Sequence, residues 1–364
     1  MDLTELGWDS FFDGGFLQYK NEGLIPARVG REDRQTYLLL SEPGELIGLV
    51  SGRFSHEANS KSEFPGVGDW VAARKVPDED KAIIQAVLPR KSCFARQPPS
   101  GGTEARTEAQ VVAANIDTVF IVSGLDGGRA FNLRRIERYL ALAWESGASP
   151  VVVLNKVDVC SDVEAYVREA ETVAFGIPIY PVSATESIGL DLLRGHFKRG
   201  STAVLLGSSG VGKSALVNAL LSAERQATSA VREHDLRGRH TTTRREMIFL
   251  PNGGIIIDTP GMRELRMWGD ERSVNDTFSE IEELATKCRF RDCNHQGEPG
   301  CAVQRAIDQG NLDADRFGSF QRLQREIAHL ARRKDQNARL EEKAREKKFS
   351  RMVRQILKNK EDKA

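Results

Sequence analysis

The stretch Gly207-Ser208-Ser209-Gly210-Val211-Gly212-Lys213-Ser214 fits the pattern G-x-x-x-x-G-K-[ST] and limits what this chain can be. It follows the apolar residues 203–206 and leads, from Ala215, into a helix-forming sequence. A buried strand, a glycine-rich turn and a helix N-terminus in that order make a phosphate cradle. The glycines let backbone N–H groups curl toward phosphate oxygens, and the helix end adds partial positive charge. Lys213 would reach the β- and γ-phosphates, and Ser214 would bind Mg²⁺. This loop alone does not separate ATP from GTP.

Asn155-Lys156-Val157-Asp158 makes that separation. It follows the apolar run 151–154, at a strand's carboxyl end, where open α/β sheets bind ligands. A carboxylate such as Asp158 accepts from both N1–H and the exocyclic amine of guanine. Adenine offers no such pair of donors. Ser183-Ala184 follows the next expected strand, 179–182, where the Ala184 N–H could meet guanine O6. Downstream, Asp258-Thr259-Pro260-Gly261 ends the apolar run 255–257. Asp258 would hold Mg²⁺ through water, and the Gly261 N–H would sense the γ-phosphate. A threonine of the loop 238–243, Thr243 or Thr242, would complete the Mg²⁺ shell.

The order of these pieces is rotated. A guanine-nucleotide domain conventionally begins with the phosphate loop and ends with N-K-x-D and Ser-Ala, which here come first. Circular permutation is possible because domain termini tend to lie close together at the surface. The segment after Gly261 then runs straight into the C-terminal region. Order–disorder of that segment is expected to transmit the γ-phosphate state. Met262 stands where a water-orienting glutamine would follow, so slow intrinsic turnover is expected, raised ~10³–10⁵-fold by a partner. His240, in the Thr-rich loop, is the best internal candidate to position the water. The alternative is an ordinary exposed loop histidine.

Cys288-x₄-Cys293-x-His295-x₅-Cys301 brings three thiols and an imidazole into one short stretch. That donor set suits one tetrahedral Zn²⁺, and four protein ligands leave no open position, so the ion would be structural. The other two of the five cysteines, Cys93 and Cys160, are isolated and read as small apolar residues. No disulfide framework is expected, and a reducing cytoplasm is the default location.

The 364 residues carry equal numbers of basic and acidic side chains, 52 of each. Residues 316–364 nevertheless hold 16 Lys/Arg against 7 Asp/Glu. An acidic body with a basic tail points to a polyanion such as nucleic acid, or to a solvated helix face. Within the tail, Leu323, Ile327 and Leu330 mark one apolar helix face, and Arg332, Arg333, Lys334, Lys347 and Lys348 the basic sides. No apolar run approaches the ~20 residues of a spanning helix, so no membrane is expected. At 29% charged and 40% hydrophobic, the composition excludes collagen and bulk disorder.

Five strand-like stretches, 25–29, 36–40, 46–50, 70–73 and 83–88, suggest a small barrel, either an OB-fold or another compact β-domain. From 110 to 268, strands at 118–122, 150–154, 179–182, 203–206 and 255–257 alternate with helices at 133–145, 163–175, 190–197 and 213–222. That alternation reads as a parallel sheet covered by helices. The expected division is a loose arm (1–22) and OB-fold-like barrel within 1–95, a linker at 96–109, a circularly permuted α/β P-loop domain at 110–268, and a helical zinc-binding domain with a basic C-terminal helix at 269–364.

The combination resembles the family of ribosome small subunit-dependent GTPase A (RsgA/YjeQ) over nearly the whole chain. Residues 238–243, Asp258 to Gly261 and Cys288 to Cys301 are similar to its motifs. The resemblance implies a late assembly factor of the small ribosomal subunit whose GTP hydrolysis that subunit stimulates. It also implies rRNA contacts from both flanking domains, His240 as the catalytic histidine, and a cytoplasmic monomer. The competing readings are a regulatory GTP-binding module on another RNA–protein complex and a P-loop kinase. N-K-x-D and the switch motifs disfavour the kinase.

Overall fold

The strand-like stretches of 25–88 become five strands: β1 (Ile25–Glu32), β2 (Tyr37–Ser41), β3 (Gly44–Val50), β4 (Trp70–Lys75) and β5 (Lys81–Val87). They pair in the order β1-β2-β3-β5-β4, and β4 returns to β1, which closes a five-stranded barrel. Ala27, Val29, Leu39, Leu46, Val71, Ala73, Ala82 and Ile84 fill it. A short helix (Gly52–Glu57), capped by the Ser51 hydroxyl, lies between β3 and β4. This is the pairing of an OB-fold, in which closure removes exposed strand edges. The computed structural model describes residues 1–34, 36–58, 60–96, 110–127, 130–222, 245–258, 271–328 and 332.

Residues 1–22 differ from the expected loose arm. They contain a helix, Ser10–Lys20, despite Gly14 and Gly15 in its interior. Phe12 on this helix and Trp8 before it stack on Trp70 of the barrel, and Phe16 stacks on Trp8. Aromatic burial outweighs the roughly 1 kcal/mol that each interior glycine costs. The linker expected at 96–109 lies outside the described residues except for Arg96. It is flanked by a hairpin absent from the sequence reading, β6 (Cys93–Arg96) with β7 (Gln110–Ala114).

The α/β portion follows. β8 (Thr118–Gly124), β9 (Ser149–Asn155), β10 (Ile179–Val182), β11 (Thr202–Leu206) and β13 (Ile255–Asp258) lie parallel in the order β10-β9-β8-β11-β13. All seven residues of β8 are buried, as expected of a central strand covered on both faces. The helix Leu133–Ser146 between β8 and β9 starts at the Asn132 cap and stops at Gly147, where φ is +85°. Helices Val163–Glu171 and Leu190–Arg194 follow β9 and β10, and the helix Lys213–Ser222 follows β11.

The antiparallel strand β12 (Arg245–Phe249) pairs with β13 on one side and with barrel strand β1 on the other, so one sheet of eleven strands runs through barrel and α/β fold. Arg28 of β1 is fully buried at their junction. It donates to the carbonyls of Gly68, Leu6 and Asn115 and to the Thr202 hydroxyl. Burial pushes its pKa down to about 10, countered in part by Asp117 and Asp69.

Described residues up to 258 form one compact unit and those from 271 a second. The second contains helices Glu271–Thr277, Ser279–Ala285 and Ala302–Asp308 and a helix over 314–328. Its core is Val274, Phe278, Ile281, Val303, Phe317, Phe320, Leu323 and Ile327. The buried Arg316 guanidinium lies over the Phe278 ring and pairs with Glu280. Among the described residues, no helix is long and apolar enough to cross a membrane.

Candidate functional site

Five parallel strands end at one edge of the sheet, and the sequence-predicted nucleotide motifs follow four of those ends. Gly207 to Ser214 follows β11, Asn155 ends β9, Ser183 follows β10, and Asp258 ends β13. β8 and β11 are neighbours, but the chain leaves β8 toward β9 and leaves β11 toward β13. Doubly wound sheets take their ligands at the carboxyl edge beside such a reversal.

The loop after β11 can turn only with glycine. Gly210 and Gly212 have φ of +82° and +95°, and a Cβ on Gly212 would lie 2.2 Å from the Asn155 amide nitrogen. A Cβ on Gly207 would lie 2.5 Å from the Val122 carbonyl oxygen. Lys213 Nζ donates to the carbonyls of Gly207 and Ser208, at 2.8 and 2.9 Å, and so spans the loop mouth. Ser214 and Ala215 are exposed in the first turn of the helix, where backbone N–H groups have no intrahelical acceptor. Ser208 is half-buried, Ser209 is exposed and Val211 is buried beneath the loop.

Asn155 ties the motifs together. Its side chain, 2% exposed, donates from Nδ2 to the Val211 carbonyl at 2.8 Å and accepts at Oδ1 from the Ala184 N–H at 3.1 Å. One amide thus bonds the phosphate loop to the Ser183-Ala184 turn. The Ala184 N–H, expected to face guanine O6, is directed onto Asn155 here. Ser183 is buried, exchanges backbone hydrogen bonds with Ile188 and accepts from the Glu186 N–H. Lys156 is left-handed, with φ +71°. Val157 begins a single 3-10 turn that carries Asp158 outward to solvent. Asp258 is half-buried, one residue beyond the β11–β13 pair Val204↔Ile257. His240, Thr242, Thr243 and Gly261 lie outside the described residues.

A fifth strand end also borders the site. The loop after β8 bonds to Asn155 through the Leu125 N–H, and Asp126 pairs with Lys156. Sequence reading missed this loop because Gly124-Leu125-Asp126-Gly127 resembles an ordinary turn.

In the second unit, Cys288, Cys293, His295 and Cys301 place their ligand atoms within 4.8 Å of one another. Cys288 Sγ lies 3.6 Å from His295 Nδ1 and 4.0 Å from Cys301 Sγ, and the His295–Cys301 pair is 3.4 Å apart. Four donors at zinc–sulfur and zinc–nitrogen bond lengths would stand ~3.6–3.8 Å apart on a tetrahedron, so the set fits such an ion. The N–H groups of Ala302 and Gln304 donate to the sulfurs of Cys288 and Cys301, each at 3.3 Å. Burial raises the Cys288 thiol's pKa, but the N–H groups of Ala302 and Val303, together with the thiols of Cys293 and Cys301, hold it below its ordinary value. Burial and the competing neighbouring thiols push Cys293 up to about 11. Three sulfurs this close do not all ionise unless a cation joins them.

Known proteins match the same arrangement. A family model described as RsgA GTPase matches residues 87–268. A protein of Opitutus terrae named "Small ribosomal subunit biogenesis GTPase RsgA" is 47% identical over 344 residues, 92% of this chain and 92% of that protein. "Small ribosomal subunit biogenesis GTPase RsgA 1" of Oceanobacillus iheyensis is 43% identical over 335 residues, 92% of this chain and 94% of that one. The crystal structure of YjeQ from Thermotoga maritima is similar with a TM-score of 0.62 at 27% identity, over 84% of this chain and 99% of that one. YloQ, described as a circularly permuted GTPase, shares the fold at 22% identity, with a TM-score of 0.58 over 85% of this chain and 97% of its own.

Proposed function

The chain belongs to the RsgA GTPase family and is a hydrolase acting on GTP; from that premise we propose that it acts on the small ribosomal subunit late in its maturation. In this reading it converts GTP to GDP and phosphate, with hydrolysis stimulated by the subunit. One observation carries the nucleotide site: Asn155 hydrogen-bonds two loops that are distant in the chain. That link supports a single pocket built from motifs in rotated order.

The roles are those that the sequence motifs predict. Backbone N–H groups from Gly207 to Ala215 cradle the phosphates, and Lys213 exchanges loop carbonyls for phosphate oxygens. Asp158 reads the guanine edge. The Ser183-Ala184 turn and Val157 close around the base, and Lys156 lies against its face. Ser214, Asp258 and Thr242 or Thr243 hold Mg²⁺, which neutralises phosphate charge when bound. The Gly261 N–H senses the γ-phosphate, and His240 orients the attacking water. Cys288, Cys293, His295 and Cys301 hold one structural Zn²⁺. The barrel and the metal-bearing helical unit contact rRNA, with the basic tail neutralising phosphates. The protein works in the cytoplasm as a monomer, and the division at 95, 109 and 268 separates these tasks.

Phosphate release is measured with purified small subunits, with large subunits and with neither, at several salt concentrations. Strong stimulation by small subunits alone, falling steeply with salt, is expected, because phosphate contacts release counterions. Equal rates in all three mixtures would contradict the assignment.

A further inference from the structure

The loop after β8 enters none of the roles above, yet it touches two of the nucleotide motifs. A Cβ on Gly124 would lie 3.6 Å from Val211 Cα of the phosphate loop and 3.7 Å from Lys156 Cδ. The Leu125 N–H donates to the Asn155 carbonyl at 2.8 Å. Asp126 Oδ2 meets Lys156 Nζ at 2.5 Å, with the two side chains 35% and 28% exposed. Lys156 is therefore fixed at its far end by Asp126, and the carbonyl just before it is held by Leu125. Its left-handed backbone, φ +71°, is a conformation that persists only where its surroundings over-determine it.

We infer that Asp126 is a positioning residue for nucleotide binding: it lays the Lys156 stem across Gly124 as a fixed apolar ledge for the purine ring. The inference rests on the reading of Asp158 as the group that meets the guanine edge. Asp158 lies two residues beyond Lys156, so a base held by that carboxylate has one ring face near the Lys156 methylenes. A lysine stem covers apolar surface well while its ammonium stays polar, but it has four torsions to order. Asp126 imposes that order before the nucleotide arrives. The effect belongs to the ring face, so it is blind to the exocyclic amine that Asp158 reads and remote from the γ-phosphate.

The test compares wild type, Asp126→Asn and Asp126→Glu by calorimetric titration with GDP and with IDP, which lacks the exocyclic amine. Steady-state GTP hydrolysis and thermal unfolding are measured alongside. Asp126→Asn is expected to weaken GDP and IDP by the same factor, about tenfold. The loss appears in Kd and KM, with kcat changed less than twofold and the unfolding temperature unchanged. Asp126→Glu restores most of the affinity. Wild-type affinity in Asp126→Asn overturns the inference, as does a loss confined to GDP or a loss in kcat alone. If Asp126→Asn does not fold, Asp126→Glu decides, because a charge-retaining variant no tighter than a neutral Asp126→Ser also overturns it. Failure of wild type to bind GDP would instead remove the guanine reading itself.

Discussion

At the nucleotide site the polar groups of separate loops are already bonded to one another. Asn155 holds Val211 and Ala184, Leu125 holds Asn155, and Lys213 spans Gly207 and Ser208. These loops stand on strands whose core includes Phe120, Val122, Val151, Val153, Ala203 and Ile256. At the Cys288 cluster the groups that face each other are three thiols and an imidazole nitrogen. Three helices of that unit, Glu271–Thr277, Ser279–Ala285 and Ala302–Asp308, are only seven residues long. The first site is therefore organised by the protein's own core before any ligand binds. In the proposed reading the second is organised by its metal, because a small core does not offset chain entropy alone.

The hardest test of this contrast is metal removal. Cys288→Ser, or chelation, is expected to unfold residues 271–328, since structural zinc contributes ~10–16 kcal/mol of apparent binding energy in small zinc domains. Amide hydrogen exchange should show protection lost there and kept over residues 118–222, with GDP still bound. Protection surviving in 271–328 would break the contrast. Asn155→Ala strikes the other region. It leaves the Val211 carbonyl and Ala184 N–H without their partner, at ~1–3 kcal/mol each. GDP affinity should fall about 100-fold while one metal ion per chain is retained in elemental analysis.

The smallest effect concerns pH. Glu32, where β1 meets β12, has its carboxyl pKa raised above 4.5, chiefly by burial, with Arg245 and Gln110 opposing. The folded form therefore holds its proton more tightly than the unfolded chain. This contribution favours folding below the unfolded value and is lost as pH rises through the folded one. Glu32→Gln should flatten the decline in stability over that window by under ~1 kcal/mol, because the group is only partly shielded from solvent. Urea titrations between pH 4 and 7 measure it. An unchanged pH profile would place the burial cost elsewhere.

Much of this was legible because it is local. Glycine spacing, N-K-x-D and the Cys/His spacing are consecutive in the chain, and each strand after which a nucleotide motif sits was marked by an apolar run. What escaped depends on tertiary contact. The first helix forms over Gly14-Gly15 because Phe12 finds Trp70 and Phe16 finds Trp8, which itself stacks on Trp70. The β6–β7 hairpin flanks a polar stretch that reads as a linker. Arg28 looks like a surface residue of an alternating strand, and becomes buried only where β1 meets Thr202 and Asn115. Asp126 matters through a lysine thirty residues away, a distance no local pattern encodes.

The central claim is that rotated motifs converge on one guanine pocket, and Asp158→Asn tests it most directly. An amide cannot accept from both guanine donors, but its NH₂ can donate to the extra carbonyl of xanthine. Titration of wild type and variant with GDP and XDP should show affinity transferred from the first nucleotide to the second. Unchanged GDP binding in Asp158→Asn would contradict the account.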